Sequence, residues 1–285
     1  MEIPILRHTR HFTIVNKPPL VYSQVNFAAA RLDRLQGKQL ALLDLLVTSH
    51  PDLFPDKPEA PFTEPKLVHR LDYGVSGAMA VATSLQAARN FSKNLKLGGN
   101  RGWQLRKTYL AIVVPHPTSP LRLGRTVSKD MRLNTDNAHI SGTISRPLLY
   151  DNKISDPLHA VTNFEVLKDL GNGKVLLALE PVTGRKHQLR RHCAYVLDAP
   201  IVGDVRYGYI AHRCKPGSAS ECIALHSWKL DFKTGLDWDS VTAPIRWGVD
   251  DLWAGVVDPA TDEVYPTLRP TVLHSINSTS GADSS

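Results

Sequence analysis

Cysteine is scarce: Cys193, Cys214 and Cys222 are the only three in 285 residues, widely separated and without a CxxC pair. An odd, scattered set implies neither a disulfide framework nor a zinc site, so no metal is expected and a reducing compartment is. No run of about 18 apolar residues occurs, which excludes an expected membrane-spanning helix. The N-terminus MEIPILRHTRH lacks the apolar core of a secretory signal. Internal repeats and low-complexity blocks are missing from the body of the chain. These absences lead to the expectation of a soluble intracellular protein. The cytoplasm is the first choice of compartment and the mitochondrion the alternative, because Arg7, Arg10 and Lys17 lie early, though interleaved with strand-like positions.

What is present is an ordinary globular composition, with 42% hydrophobic and 21% charged residues, in a chain long enough to bury a full core. Lys plus Arg number 34 against 27 Asp plus Glu, a formal charge of +7. Such a balance favours a polyanionic partner through long-range attraction but does not identify one.

The order of elements is mixed. HFTIVNKPP reads as a strand stopped by Pro18 and Pro19, which have no N–H to donate. Leucines at helical spacing predict a helix over Arg31 to Val47, interrupted at Gly37, and a proline-rich loop then leads to Lys66. A strand follows HRLDYGVSG; Ser84 caps a helix to about Leu97; LRKTYLAIVV is a strand. Arg122 to Asp156 has no sustained period and reads as irregular connection or short hairpins. FEVLKDLGNGKVLLALEPVTG is a hairpin turning at GNG, RKHQLRRHCAYVL a helix, and CIALHSWKLDF a late strand. The fold class predicted is α+β, a mixed, largely antiparallel sheet flanked by helices and loops. One domain is expected over residues 1–270, with a disordered Ser/Thr/Gly-rich tail over 271–285.

Two clusters carry chemistry. HRLDYGVSG offers one carboxylate, Asp72, in a turn, a position from which it can face a cleft or merely cap the turn. TGRKHQLRRH packs Arg185, Lys186, His187, Arg190, Arg191 and His192 into eight residues without an acid. On a helix, Arg190 would share a face with Lys186 and His187, while Leu189 and Cys193 point inward from the opposite one. Such a patch is either a solvated basic surface or a phosphate-binding one. The clusters make joint sense if Arg190 reaches Asp72, because a guanidinium favours an ionised carboxylate.

Val68 to Gly77, Lys107 to Val113, Thr183 to His192 and Pro200 to Gly208, in this order, resemble the signature motifs of the RluA-type pseudouridine synthases. VNKPP near the start, and LHSWKLDF followed by APIRW near the end, resemble that family's flanking segments, so the likeness runs from Ile5 to about Trp247. The resemblance implies the pseudouridine synthase catalytic fold and an RNA substrate, rRNA or tRNA. It implies isomerisation of uridine by cleavage of the N1–C1′ bond, rotation of the uracil and rejoining through C5, with no cofactor. Asp72 matches the catalytic aspartate, Arg190 the arginine that pairs with it, and Tyr109 the tyrosine that stacks on the uracil. Arg70 resembles the arginine that takes the base's place in the RNA stack, and Leu225 an apolar residue against the base. Arg185, Lys186 and His187 would contact the RNA.

Two departures stand out: Val75 where the family usually has threonine, and Asp198-Ala199 where it has a glycine before the P-I-x-G-D segment. No S4-like RNA-binding module is expected before Ile5, and the protein is expected to be monomeric. Competing readings are a noncatalytic RNA-binding or ribosome-assembly protein on the same scaffold and a glycosidase. The latter needs a second carboxylate, for which Asp204 and Glu180 are candidates; Asp204 in VGDVRYG reads more simply as a turn residue.

Overall fold

The structure is a computed structural model that describes residues 1–24, 41–53, 65–97, 103–136, 139–149, 157–209, 222–249 and 251–270. Its frame is one large sheet. The strands are β1 (Ile5–His8), β2 (Phe12–Lys17), β3 (Lys66–Leu67), β4 (Ser76–Ala82), β5 (Trp103–Val113) and β6 (Met131–Asp136). They continue with β7 (His139–Ser145), β8 (Val161–Gly171), β9 (Lys174–Pro181), β10 (Leu225–Thr234) and β11 (Trp238–Thr242). The order is β1-β2-β4-β10-β5-β9-β8-β7-β6, with β11 beside β10 and β3 beside β4. Every pairing is antiparallel except β4 with β10. A small ribbon of β12 (Val257–Asp258) and β13 (Glu263–Val264) stands apart. The helices are α1 (Leu42–Ser49), α2 (Leu85–Leu97), α3 (Pro120–Leu123) and α4 (Gln188–Tyr195). This is the predicted α+β class.

β2 stops at Lys17, where the two prolines remove the next donors. Its residues and those of β4 are buried throughout, because side chains of period two feed a separate core on each face. Ile14 and Ala80 join Phe12, Phe232 and Phe91 of α2, with Phe12 edge-on to Phe91 at 5.7 Å and to Phe232 at 5.0 Å between centroids. Val15, Met79 and Val81 face the larger core, which also takes Leu42 and Leu46 of α1 and Leu189 and Cys193 of α4.

The β8–β9 hairpin forms at GNG as predicted, and Ser84 caps α2 by accepting from Ala87 N at 3.2 Å. Within Arg122 to Asp156, β6 and β7 form a hairpin that extends the main sheet. This is the short-hairpin alternative of the two expected there, and its alternation is weak because most of its side chains are exposed or half-buried, with Met131 and Ile144 the buried ones. Of the helix expected over Arg31 to Val47, the described part is α1; Leu32, Leu35 and Gly37 lie outside the described residues, as do most of the proline-rich loop and the tail 271–285.

The parallel β4–β10 contact decides where the site lies. Gly77 faces Ser227 so closely that a Cβ would sit 2.4 Å from the Ser227 carbonyl oxygen, and its φ is +113°. Only glycine fits there. Beside it the Ser76 hydroxyl pairs with His226 Nδ1 at 2.8 Å, and His226 Nε2 donates to the Ala243 carbonyl at 3.0 Å. The last two residues of the Asp72 segment therefore weld it to the LHS segment of β10.

Candidate active site

Asp72 sits in the turn that precedes β4, with Val75 N donating to its carbonyl at 3.1 Å. The backbone on both sides is tied down. Ser23 Oγ donates to the Leu71 carbonyl at 2.6 Å and accepts from Leu71 N at 3.1 Å. On the other flank the Tyr73 carbonyl accepts from Leu20 N at 2.8 Å and from Lys17 Nζ at 3.4 Å. Lys17 is fully buried and also donates to the Pro18 carbonyl at 2.7 Å. Burial pulls its amine down to about 7, against the opposing pull of Asp72 and then Cys222. Clamped so, the Asp72 side chain projects from the turn about one-third exposed. Val75, 2% exposed, packs in the main core and fills the threonine position without a hydroxyl.

Arg190 reaches across from α4. Its Nη1 donates to Asp72 Oδ2 at 2.8 Å, while Nε and Nη2 donate to Asp204 Oδ2 and Oδ1 at 2.6 and 2.8 Å. Burial by itself would lower the guanidinium's pKa, but the bonds to Asp204 and then Asp72 outweigh it and hold the group above its ordinary value. The side chains of Arg190 and Asp204 are only 8% and 1% exposed, so this is a buried, bidentate pair that aims a third N–H at Asp72.

The Asp204 side chain is thus more than a turn residue. Its backbone does make the turn, with Asp204 N on the Ile201 carbonyl and Tyr207 N on its own carbonyl, but both carboxylate oxygens are committed to Arg190. That commitment also removes it as a glycosidase's free second acid. The strand-like run from Pro200 delivers it: Val114 N bonds to Pro200 O and Val202 N to Ile112 O along the end of β5. At Gly203, φ +83°, a Cβ would collide with the Cys222 carbonyl at 2.1 Å.

The expected sharing of one helical face by Lys186, His187 and Arg190 is corrected. The helix begins only at Gln188, and His187 at its N-cap adopts a left-handed φ of 53°. Arg190 turns inward together with Leu189 and Cys193, and Lys186 stays exposed. Gln188 explains the start: its Oε1 accepts from Thr183 Oγ1 and Arg185 N, and its Nε2 donates to Val161 O and Thr162 Oγ1, a complete set for a buried amide. Arg185 donates through Nε to the His159 carbonyl at 3.0 Å. Past the helix, Asp198 takes φ +47°, a left-handed position of the sort glycine favours; Thr118 Oγ1 donates to its carboxylate at 2.6 Å.

Tyr109 on β5 pairs with Ser227 on β10, and Leu225 with Ala111, so Tyr109 and Leu225 are diagonal neighbours on one sheet face. Both are buried, at 6% and 4% exposure. Burial pushes the Tyr109 phenol well above its usual range; the Ser227 hydroxyl opposes the shift and the Asp72 charge adds to it. Arg70 is exposed two residues before Asp72. Beside the Arg190–Asp204 pair lies a cavity of about 570 Å³, walled by Tyr22, Tyr73, Arg206 and Ile223 among others. Among the described residues no cluster of three His, Cys, Asp or Glu could hold a metal ion.

Of the sequence-predicted residues, Arg190 of α4 bonds Asp72 of the turn, the Asp72 charge is felt by Tyr109, and Leu225 lies diagonal to Tyr109 on the neighbouring strand. A family model described as RNA pseudouridylate synthase matches residues 11–195, which include the Asp72 turn, Tyr109 and α4. The chain belongs to the RNA pseudouridylate synthase family. It is an isomerase that converts uridine to pseudouridine in RNA, and among its described residues no helix is long and apolar enough to cross a membrane.

Relatives of this synthase include the 21S rRNA pseudouridine(2819) synthase of Kluyveromyces lactis, 30% identical over 90% of this chain and 73% of that protein. The protein of the same name from Saccharomyces cerevisiae is 30% identical over 86% of this chain and 85% of the relative. RNA pseudouridine synthase 4, mitochondrial, of Arabidopsis thaliana is 34% identical over 66% of this chain and 40% of its own length. Among solved structures, human RNA Pseudouridylate Synthase Domain Containing 4 superposes with a TM-score of 0.54 at 23% identity, covering 84% of this chain and 87% of that one. That likeness bears on the fold.

Three residues that brace the Asp72–Arg190 pair or the turn carrying it were not singled out by the sequence for that place. Lys17 looked like one of several early cations; its place before a double proline was the available signal. Asp204 looked like a turn former. Tyr207 is unmarked by any local pattern, yet its ring lies under the Arg190 guanidinium at 5.0 Å and its hydroxyl hydrogen-bonds His187 Nδ1 at 2.7 Å.

Proposed function

We propose that Asp72 is the carboxylate that acts at C1′ or at the 2′ proton of the target uridine. In the same reading Arg190 holds Asp72, Tyr109 and Leu225 pack on the uracil, and Arg70 fills the space the flipped base leaves in the RNA. Arg185 and the exposed Lys186 meet phosphates. The observation that carries this reading is the single guanidinium bridging a fixed buried carboxylate, Asp204, and a partly exposed one, Asp72. A carboxylate oxygen has two lone pairs, so the bond from Arg190 orients Asp72 and still leaves lone pairs for chemistry at the sugar. The buried pair Tyr109 and Leu225 would keep water from the detached uracil, so that it rejoins rather than diffuses away.

The RNA proposed is rRNA, supported by the names of the two yeast relatives, and the compartment proposed is the mitochondrion, supported by the name of the plant one. Purified protein given rRNA tritiated at uracil C5 releases label in this reading, and Asp72→Asn does not. Equal release from the two proteins overturns the role of Asp72. Mapping pseudouridines in a deletion strain tests the target: loss of a tRNA site with rRNA intact refutes the rRNA assignment. A fluorescent fusion located in the cytosol refutes the compartment.

A further inference from the structure

We infer that His187, locked by Tyr207, is a positioning residue for Asp72, presenting its Nε2–H to the carboxylate oxygen that Arg190 leaves free. The inference rests on the reading of Asp72 as the reactive carboxylate. Its first support is backbone geometry. A left-handed φ of 53° is unusual for a residue with a side chain, and strained backbone tends to persist where the surroundings enforce it, often at functional sites. Here it takes His187 off the helical face shared by Leu189, Arg190 and Cys193. The ring instead lies with Nε2 3.5 Å from Asp72 Oδ1, while Arg190 Nη1 occupies Oδ2 at 2.8 Å. The two oxygens of Asp72 thus have different neighbours.

The second support is tautomer control. His187 Nδ1 and the Tyr207 hydroxyl are 2.7 Å apart. Tyr207 is itself braced, with its ring face toward Arg190 and edge-on contacts to His187 at 5.7 Å and Tyr195 at 5.9 Å between centroids. Burial lowers the imidazole's pKa; Asp72 opposes that, and Arg190, Arg206 and Lys186 reinforce it, so the neutral ring with one N–H is favoured. If that proton sat on Nδ1, the Nε2 lone pair would face a carboxylate oxygen. With Tyr207 donating to Nδ1, the proton sits on Nε2 and faces Asp72. The second arrangement satisfies both contacts, and 3.5 Å is a gap of the sort that shortens when a site closes on its substrate. A direct phosphate contact for His187, expected from the sequence, fits less well: its side chain is 13% exposed and both ring nitrogens already face protein groups.

The test is single-turnover tritium release with saturating RNA, using Tyr207→Phe, His187→Ala, His187→Gln and the double variant Tyr207→Phe/His187→Ala. Each of Tyr207→Phe and His187→Ala should slow release about tenfold, the rate equivalent of one hydrogen bond to a charged group. The RNA concentration giving half-maximal rate should stay unchanged. The double variant should be no slower than His187→Ala, because Tyr207 acts through the ring. His187→Gln, whose amide N–H can replace Nε2–H, should recover most of the rate. Wild-type rates in both single variants, additive losses of about a hundredfold in the double, or a raised half-saturating RNA concentration with an unchanged maximum would each overturn the proposal. Release by Asp72→Asn at the wild-type rate would instead refute the underlying role of Asp72.

Discussion

Replacing Asp204 by Asn separates the buried half of the Arg190 bridge from the half proposed to be reactive. The substitution preserves shape but turns one acceptor into an amide N–H that faces the Nε or Nη2 donors of Arg190. It also removes a charge that is 1% exposed from a guanidinium that is 8% exposed. Breaking a buried ion pair from one side costs about 3–5 kcal/mol. Asp72 still accepts from Nη1 at 2.8 Å, which places the expected loss at the lower end, about 3 kcal/mol. At about 2–4 °C per kcal/mol for chains of comparable size, the melting temperature should fall by about 6–12 °C. Asp72→Asn removes a carboxylate about one-third exposed, so its cost should resemble that of a surface pair, about 1 kcal/mol or less. Both variants should lose tritium release, Asp204→Asn because Arg190 no longer aims at Asp72. Thermal unfolding followed by circular dichroism, paired with the release assay, reads both. A wild-type melting temperature and rate for Asp204→Asn would refute the reasoning, as would a larger stability loss in Asp72→Asn.

Gly77→Ala should destabilise by about 3 kcal/mol, since its Cβ meets backbone in a left-handed conformation; urea unfolding measures it, and a midpoint equal to wild type disproves the close β4–β10 contact. Buried His192 and His226 are both lowered to about 4, chiefly by desolvation. The unfolded chain takes up their protons first as pH falls below about 6.5, so stability should drop between that pH and about 4, by about 3 kcal/mol for each ring. Urea midpoints across that range test this, and His226→Gln should remove about half of the dependence, leaving the part due to His192. Lys17, lowered to about 7, stays protonated in the unfolded chain up to its ordinary range, so its contribution to stability should rise with pH above 7. Lys17→Met should remove that rise; an unchanged pH profile from 7 to 10 would show that the amine is not buried as described.

Local pattern carried much of the outcome. The double proline after Lys17, the GNG turn, the Ser84 cap and the β-rich run through Tyr109 were legible because each depends on a few adjacent residues. Asp72, Tyr109, Arg190 and Leu225 were legible for a different reason, as positions in motifs recognised in their order along the chain. The β6–β7 hairpin was less legible because its strands bury few side chains, leaving little alternation to read. Helical spacing misassigned Lys186 and His187 because the residue that starts the helix, Gln188, is set by hydrogen bonds to β8 rather than by its neighbours in sequence.

By itself the sequence determined the fold class, the family and the pairing of Asp72 with Arg190. Only the tertiary structure decided that Asp204 grips that arginine, that Lys17 holds the Asp72 turn from beneath, and that His187 faces Asp72 instead of solvent. Charge and spacing describe what a side chain is and its near neighbours along the chain. Which partner a buried charge finds depends on groups 14 and 118 residues away from Arg190, brought within hydrogen-bonding distance where β4, β5 and β10 meet.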